Sequence, residues 1–330
     1  MDEIQARQAL SLPRVLFVKR FLLLVLLLAL GVLLVPNVRS LYEGIVFYLF
    51  PAVTYRPTPV QPVNPTGRYA SLYDLVRLPN QKRFEYIRDH LALPGVTVTL
   101  IPIPNSPFSD VFATFQATGP YLVFCAHYDK FSDDPNFQGA DDNTSGVSIL
   151  LASIATFAQR GNGGNRAFLF TGEEETGLHG AAAFVDFVRA HQLAIQEIVD
   201  YNSFGRDQLA IRPPAALPGF VFTLPFYGDV TYDGQNFRRG PAFPPPDAPL
   251  AQAIQQIEPQ TVVLQRFTSL SDSNVFQADG IKTVAVSSSN MYYLQLAWNT
   301  FADRVELIDE RNLDLAYDLV MRYPGTRPDP

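Results

Sequence analysis

Short apolar runs set between stretches of helical periodicity constrain this chain more than any other feature. The runs Y-L-V-F-C-A at 121–126, A-F-L-F at 167–170 and T-V-A-V at 283–286 are too short for buried helices. They also lack the alternation of a strand with one wet face, as strands covered on both faces do. Around them, apolar positions recur at helical spacing over 80–92, 144–159, 177–190, 248–257 and 309–322, while 96–103 alternates like a half-buried strand. This order predicts an α/β fold with a mostly parallel central sheet and helices on both faces. Such a fold needs a large core, which 47% hydrophobic against 17% charged residues supplies. The 32 acidic and 25 basic residues leave a formal charge of −7, which offers no basic surface to a nucleic acid.

Ahead of the domain, residues 21–35 read F-L-L-L-V-L-L-L-A-L-G-V-L-L-V, with Arg14, Lys19 and Arg20 before them and Pro36 after. With Val38 and snorkelling basic flanks, the run extends to a spanning helix over 21–38. No small-x-small cleavage site follows, which favours an uncleaved signal anchor over a cleaved signal peptide. Positive charge on the N-terminal side leaves 1–20 in the cytoplasm and the rest outside, as a single-pass protein of the cell membrane. Residues 39–67, with prolines at 51, 57, 59, 62 and 65, read as a membrane-proximal segment and extended linker. The remainder, 68–325, is one domain by length, interrupted at 208–249 by an irregular proline-rich insertion of the kind that carries substrate loops.

One Cys, at 125, and four His, at 90, 127, 179 and 191, exclude a disulfide framework and a Cys-cluster metal site. Any metal must be held mainly by oxygen. Three segments place acidic residues where strands end. The run Y-L-V-F-C-A-H-Y-D finishes in His127 and Asp129, two apart and so facing one way. Either the carboxylate backs a metal-binding imidazole, or the histidine is an ordinary satisfied surface residue. The segment G-A-D-D-N-T-S-G at 139–146 leads into a helix that Asp142, Asn143, Thr144 or Ser145 can cap. A cap does not need two consecutive aspartates between glycines, a pattern that suggests close backbone approach beside a site. In F-L-F-T-G-E-E-E-T-G-L-H-G at 168–180, three glutamates repel one another unless solvent or a cation balances them. The following helix favours acidic residues at its start in any case.

In this order the segments resemble the zinc exopeptidases of metallopeptidase family twenty-eight, which include bacterial aminopeptidases and, more distantly, glutaminyl cyclases. The matching elements are H-Y-D at 127–129, G-A-D-D-N-T-S-G at 139–146 and E-E-T-G-L-H-G-A at 174–181. They continue with S-D-S-N-V-F-Q-A-D-G-I-K at 271–282 and N-T-F-A-D at 299–303. The resemblance implies that family's fold, a peptide substrate and zinc. Residue by residue, it makes His127 a terminal ligand of one zinc and Asp141 the carboxylate bridging two. Glu175 becomes a ligand of the second zinc, Glu174 the general base and acid, and Asp129 the support behind His127. It also implies a cis peptide between Asp141 and Asp142.

Three positions depart from the family pattern. Asn202, in V-D-Y-N-S-F-G-R-D at 199–207, stands where the family has a ligand Asp, and Asn299 stands where the second zinc's His belongs. Ser273 replaces a His that is not a ligand. Asp141 and Glu175 bring a charge of about −2, suited to one divalent ion rather than two. An Asn carbonyl is a neutral donor better matched to hard cations than to zinc. Asp200 shares a strand face with Asn202, yet replaces it only if the strand slides by about 6–7 Å. His179 occupies a variable family position that points away. Two functions follow from different classes. One is a membrane-anchored extracytoplasmic metallopeptidase that hydrolyses peptide N-terminal bonds with one zinc or a weakened pair. The other is a non-catalytic family member without zinc that binds peptides or a partner.

Overall fold

The computed structural model describes residues 59–115, 120–212, 248–263, 271–290, 293–294 and 297–325, together with three short strands between 222 and 239. The anchor expected at 21–38 and most of the linker lie outside the described residues, among which no helix is long and apolar enough to cross a membrane.

Helices α1 (Ala70–Leu75) and α2 (Asn80–His90) lead into strands β1 (Thr97–Pro102) and β2 (Ser109–Thr114). Then β3 (Tyr121–His127), α3 (Ser145–Arg160), β4 (Arg166–Thr171), α4 (His179–His191) and β5 (Ile195–Tyr201) alternate strictly. Strand β6 (Leu209–Arg212) precedes a separate antiparallel sheet of β7 (Phe222–Leu224), β8 (Gly228–Tyr232) and β9 (Phe237–Arg239). Elements α5 (Ala248–Ile257), β10 (Val262–Val263), α6 (Asp272–Ala278), β11 (Thr283–Ser288) and α7 (Glu310–Arg322) complete the chain. The insertion expected as irregular at 208–249 thus contributes β6 to the main sheet and holds a small sheet of its own.

The main sheet runs β1-β2-β4-β3-β5-β11-β6-β10. It is mixed: β4, β3, β5 and β11 are mutually parallel, whereas β1 with β2, β2 with β4 and β6 with β11 are antiparallel. Three of the four parallel strands, β3, β4 and β11, are the apolar runs, and β5 joins them between β3 and β11. Alternate residues of each strand feed two cores. Phe124, Phe168, Val199 and Val284 face α1, α2, α3, α5 and α7, while Val123, Cys125, Leu169 and Ile198 face α4 and α6.

Local sequence sets the helix limits. Buried Val147, Ile149, Leu150, Ile154 and Phe157 form the inner side of α3, and Gly161 at φ +64° ends it in the left-handed conformation that glycine adopts freely. Asp309 caps α7 by accepting the Arg311 N–H at 3.1 Å. The tail of the proline-rich stretch is docked rather than free. Val63 is buried, the Gln61 carbonyl accepts from the Glu310 N–H at 2.9 Å, and the Pro59 carbonyl accepts from Arg311 at 2.9 Å.

This topology places one crevice. From β3 the chain passes through α3 on one face to β4, then through α4 on the other face to β5 on the far side of β3. In open α/β sheets the space beyond the C-terminal end of such a strand is where ligands bind. His127 is the last residue of β3.

Candidate metal centre

Buried His127 lies between two carboxylate-bearing loops. Its Nδ1 faces the Asp129 carbonyl at 3.1 Å, so that nitrogen carries a proton and donates. Its Nε2 faces Asp142 Oδ1 at 3.1 Å. A lone pair and a carboxylate oxygen cannot meet at that distance without a cation between them, whether a proton or a metal ion. Burial alone pushes the imidazole pKa down, but Glu174, Asp129 and Asp142 outweigh it and hold it above the usual value.

The third member is Glu175, whose Oε2 accepts from Asn299 Nδ2 at 3.0 Å. Ligand atoms of His127, Asp142 and Glu175 all lie within 4.8 Å of one another. Asp142 Oδ2 and Glu175 Oε1 are buried and without a hydrogen-bond partner. Unpartnered carboxylate oxygens beside an imidazole nitrogen fit a bound cation, because burying them without one carries a large desolvation cost. Burial, reinforced by Asp142, pushes the Glu175 carboxyl up to about 8. Burial likewise raises Glu174, with His127 opposing and Asp272, Glu175 and Asp142 adding to the rise.

Asp129 serves the site from behind. Its two oxygens accept the backbone N–H groups of Glu174 at 3.2 Å and Glu175 at 3.1 Å, and Oδ1 lies 3.5 Å from His127 Nδ1. One carboxylate therefore fixes both the imidazole and the pair of glutamates. The third glutamate is held elsewhere: Glu173 accepts from Ser106 Oγ and from Thr176 Oγ1 at 2.8 Å.

The expected bridging residue is displaced by one position. Asp141 does not face His127; its Oδ1 accepts from the Gly205 N–H at 2.6 Å and from Ser145 Oγ at 3.1 Å. The turn at Ala140–Thr144 points consecutive side chains apart, so Asp141 is tied to the loop after β5 while Asp142 enters the crevice. A Cβ on Gly205 would come within 2.7 Å of Asp141 Oδ1, which is why a residue without a side chain stands there. The cis peptide is displaced in the same way and joins Asp142 to Asn143. Burial pushes Asp141 up to about 6, with the Gly205 N–H opposing. Asp303 completes the turn by accepting the backbone N–H groups of Asp141 at 2.7 Å and Asp142 at 2.9 Å.

Of the two amides at ligand positions, Asn299 touches the trio through Glu175, whereas Asn202 accepts from Ser203 Oγ at 2.8 Å. Strand β5 has not slid. Asp200 accepts from Ser271 Oγ at 3.1 Å and the Ser273 N–H at 3.2 Å, in a separate buried group with Cys125 and Asp272. Ser273 Oγ pairs with Ser271 Oγ at 2.7 Å, and His179 is exposed at the start of α4.

Buried basic residues escaped sequence reading, Arg83 and Arg212 among them. Arg83, on α2, is fully buried, donates through Nη2 to Thr144 Oγ1 and lies in the field of Asp129, Asp303, Asp133 and Asp142. Burial lowers its pKa to about 10. In N-Q-K-R-F-E-Y-I it resembles any surface arginine, and the one signal is that it shares an inner face with Phe84 and Ile87. Arg212 ends β6 in lateral register with Ala285 and Asp200. Burial lowers it to about 10 while Asp200, Glu174 and Asp142 oppose. Two residues beyond Asp129 and Asn299 in the chain, exposed Phe131 and Phe301 bracket the ring of Phe137 at 6.3 and 5.6 Å.

A mixed α/β sheet with a histidine and two carboxylates beyond its central strand defines a metallopeptidase-like protein. The model of peptidase family M28 matches residues 110–323, and the chain belongs to that family. The fold is similar to the LapA aminopeptidase of Legionella pneumophila, with a TM-score of 0.59 at 12% identity over 79% of this chain and 71% of that one. It is also similar to a Zn-dependent exopeptidase of Parabacteroides distasonis, with a TM-score of 0.54 at 15% identity over 81% of this chain and 100% of that one. A glutaminyl cyclase of an Acidobacteriales bacterium gives 0.55 at 14% identity over 81% and 96% of the two chains. No curated protein matches the sequence.

Proposed function

We propose that this chain is a membrane-anchored, extracytoplasmic metallopeptidase that hydrolyses bonds at peptide N-termini with one divalent ion, zinc in its relatives, held by His127, Asp142 and Glu175. The convergence of these three groups, each carboxylate keeping a buried unpartnered oxygen, carries the reading. A divalent ion in such a site polarises a carbonyl and lowers the pKa of water towards about 7. The chain's own work is proton transfer and positioning. Glu174 takes a proton from the attacking water and returns it to the departing amine nitrogen. Asp129 keeps Glu174, Glu175 and His127 in register through the contacts above. Phe131 and Phe301 offer apolar surface to a side chain of the peptide.

The chain's hydrolysis of aminoacyl chromogenic substrates tests this reading. Glu174→Gln is expected to lower kcat by about 10²–10⁴-fold while leaving metal content unchanged. A second reading, a family member that binds peptides without cleaving them, draws on the amides at positions 202 and 299. Turnover absent from the wild type favours that reading, whereas turnover indifferent to Glu174→Gln removes Glu174 as the general base.

A further inference from the structure

We infer, on the strength of the metal site proposed above, that Arg83 is a positioning residue of that site. Through Thr144 its buried guanidinium braces the turn that carries Asp142 and so holds this carboxylate against His127. Arg83 belongs to α2, which supplies none of the three ligands and precedes the residues 110–323 that the family model matches.

Helix α2 reaches both loops that bear on His127. Asn80 and Arg83 stand one turn apart and share a side of the helix, while Gln81 and Lys82 between them are exposed. Asn80 forms a reciprocal pair with the main chain beside Asp129. Its Nδ2 donates to the Lys130 carbonyl at 3.0 Å, and its Oδ1 accepts the Lys130 N–H at 2.9 Å. Arg83 Nη2 donates to Thr144 Oγ1, and that hydroxyl passes its own hydrogen to the Gly139 carbonyl at 2.5 Å. The Thr144 N–H donates to the same carbonyl at 3.2 Å. These bonds close the turn around Asp142, which Asp303 also holds by its backbone N–H. The two loops meet at Gly139, where a Cβ would lie 2.9 Å from Lys130 Cβ and from the Asp142 carbonyl oxygen.

Burying a guanidinium without full pairing is costly. Arg83 is fully buried, yet its Nε and Nη1 find no partner among the described residues. Two roles for such a charge predict opposite signs. As a bare cation in the field of Asp129, Asp303, Asp133 and Asp142, Arg83 repels a divalent ion, and its removal tightens metal binding. As a brace, it keeps the turn from relaxing, and its removal weakens metal binding. The charge-assisted bond to Thr144, relayed to Gly139, favours the brace, because such bonds are the strong class.

Titration of the full chain with Zn²⁺ against a fluorescent chelator, beside thermal unfolding of the metal-free chain, tests this without an activity readout. Thr144→Val removes the hydroxyl at nearly constant volume and leaves the Arg83 charge in place. It is expected to weaken Zn²⁺ binding about 10–100-fold, as loss of a group that orients a ligand does. Thr144→Ser restores the hydroxyl and is expected to bind Zn²⁺ within about threefold of the wild type. Arg83→Met is expected to weaken binding about as much as Thr144→Val, against the sign of the lost repulsion. The double variant is expected to be little weaker than either single one, because both break one bond. Tighter Zn²⁺ binding by Arg83→Met overturns the inference while the three-residue site stands. So does a Thr144→Val chain that melts lower but binds Zn²⁺ as the wild type does, or a Thr144→Ser chain that binds as weakly as Thr144→Val. If Arg83→Met does not fold, the two variants at position 144 decide alone. No binding by the wild type removes both the brace and the site.

Discussion

At the scale of single residues, the decisive choice lies between two adjacent aspartates. Asp142 faces His127 at 3.1 Å, while Asp141 holds the loop at Gly205. Asp142→Asn is therefore expected to abolish tight metal binding, whereas Asp141→Asn keeps the metal and lowers the melting temperature. Metal analysis and thermal unfolding of the two variants check this pair. Part of the candidate site was legible in the sequence: the motifs singled out His127, Asp129, Glu174 and Glu175, which the fold brings together at the end of β3. The aspartate that faces His127 was not, because a run of two aspartates leaves a one-residue ambiguity that only the path of the turn resolves. Arg83 was invisible for a different reason. A charged residue on an apolar helix face gives no sign that carboxylates from distant loops surround it.

At the scale of elements, the start of α4 is pressed against the strand it follows. The Gly180 N–H donates to the Gly172 carbonyl at 3.0 Å, and a Cβ at 180 would lie 2.4 Å from that same oxygen and from Asp110 Oδ1. Backbone cannot yield as a flexible side chain does, so Gly180→Ala is expected to cost about 1–3 kcal/mol in urea unfolding. The cap of α7 gives a pH-dependent prediction. Burial would raise the Asp309 carboxyl, but the Arg311 guanidinium and N–H outweigh it and hold it below the usual range. The unfolded value is about 3.9, so this stabilisation is complete above that pH and is lost as pH falls through the lower folded value. Asp309→Ala is expected to cost about 1 kcal/mol at pH 6 and less near pH 3, by denaturant titration. The helices at 80–92, 144–159, 177–190, 248–257 and 309–322 are present within a few residues, since each carries its own apolar face. Strand β2 and helices α1 and α6 went unread, being short and set by what they pack on.

At the scale of the molecule, three of the four central parallel strands followed from the apolar runs, whereas β5 and the antiparallel strands did not. Edge strand β1 and, one in from the other edge, β6 carry little apolar run of their own, and they run antiparallel to their neighbours β2 and β11. The same long-range closure assembles the candidate metal centre from His127 at the end of β3 and from Asp142 and Glu175 on separate loops, with Asn299 hydrogen-bonded to Glu175. The central claim is that this closure makes a site for one divalent ion. Equilibrium dialysis of the full chain, wild type beside Asp142→Asn, measures it directly. The account predicts about one equivalent of tightly bound divalent metal in the wild type and almost none in the variant. Less than about a tenth of an equivalent in the wild type, or metal retained by Asp142→Asn, would contradict it.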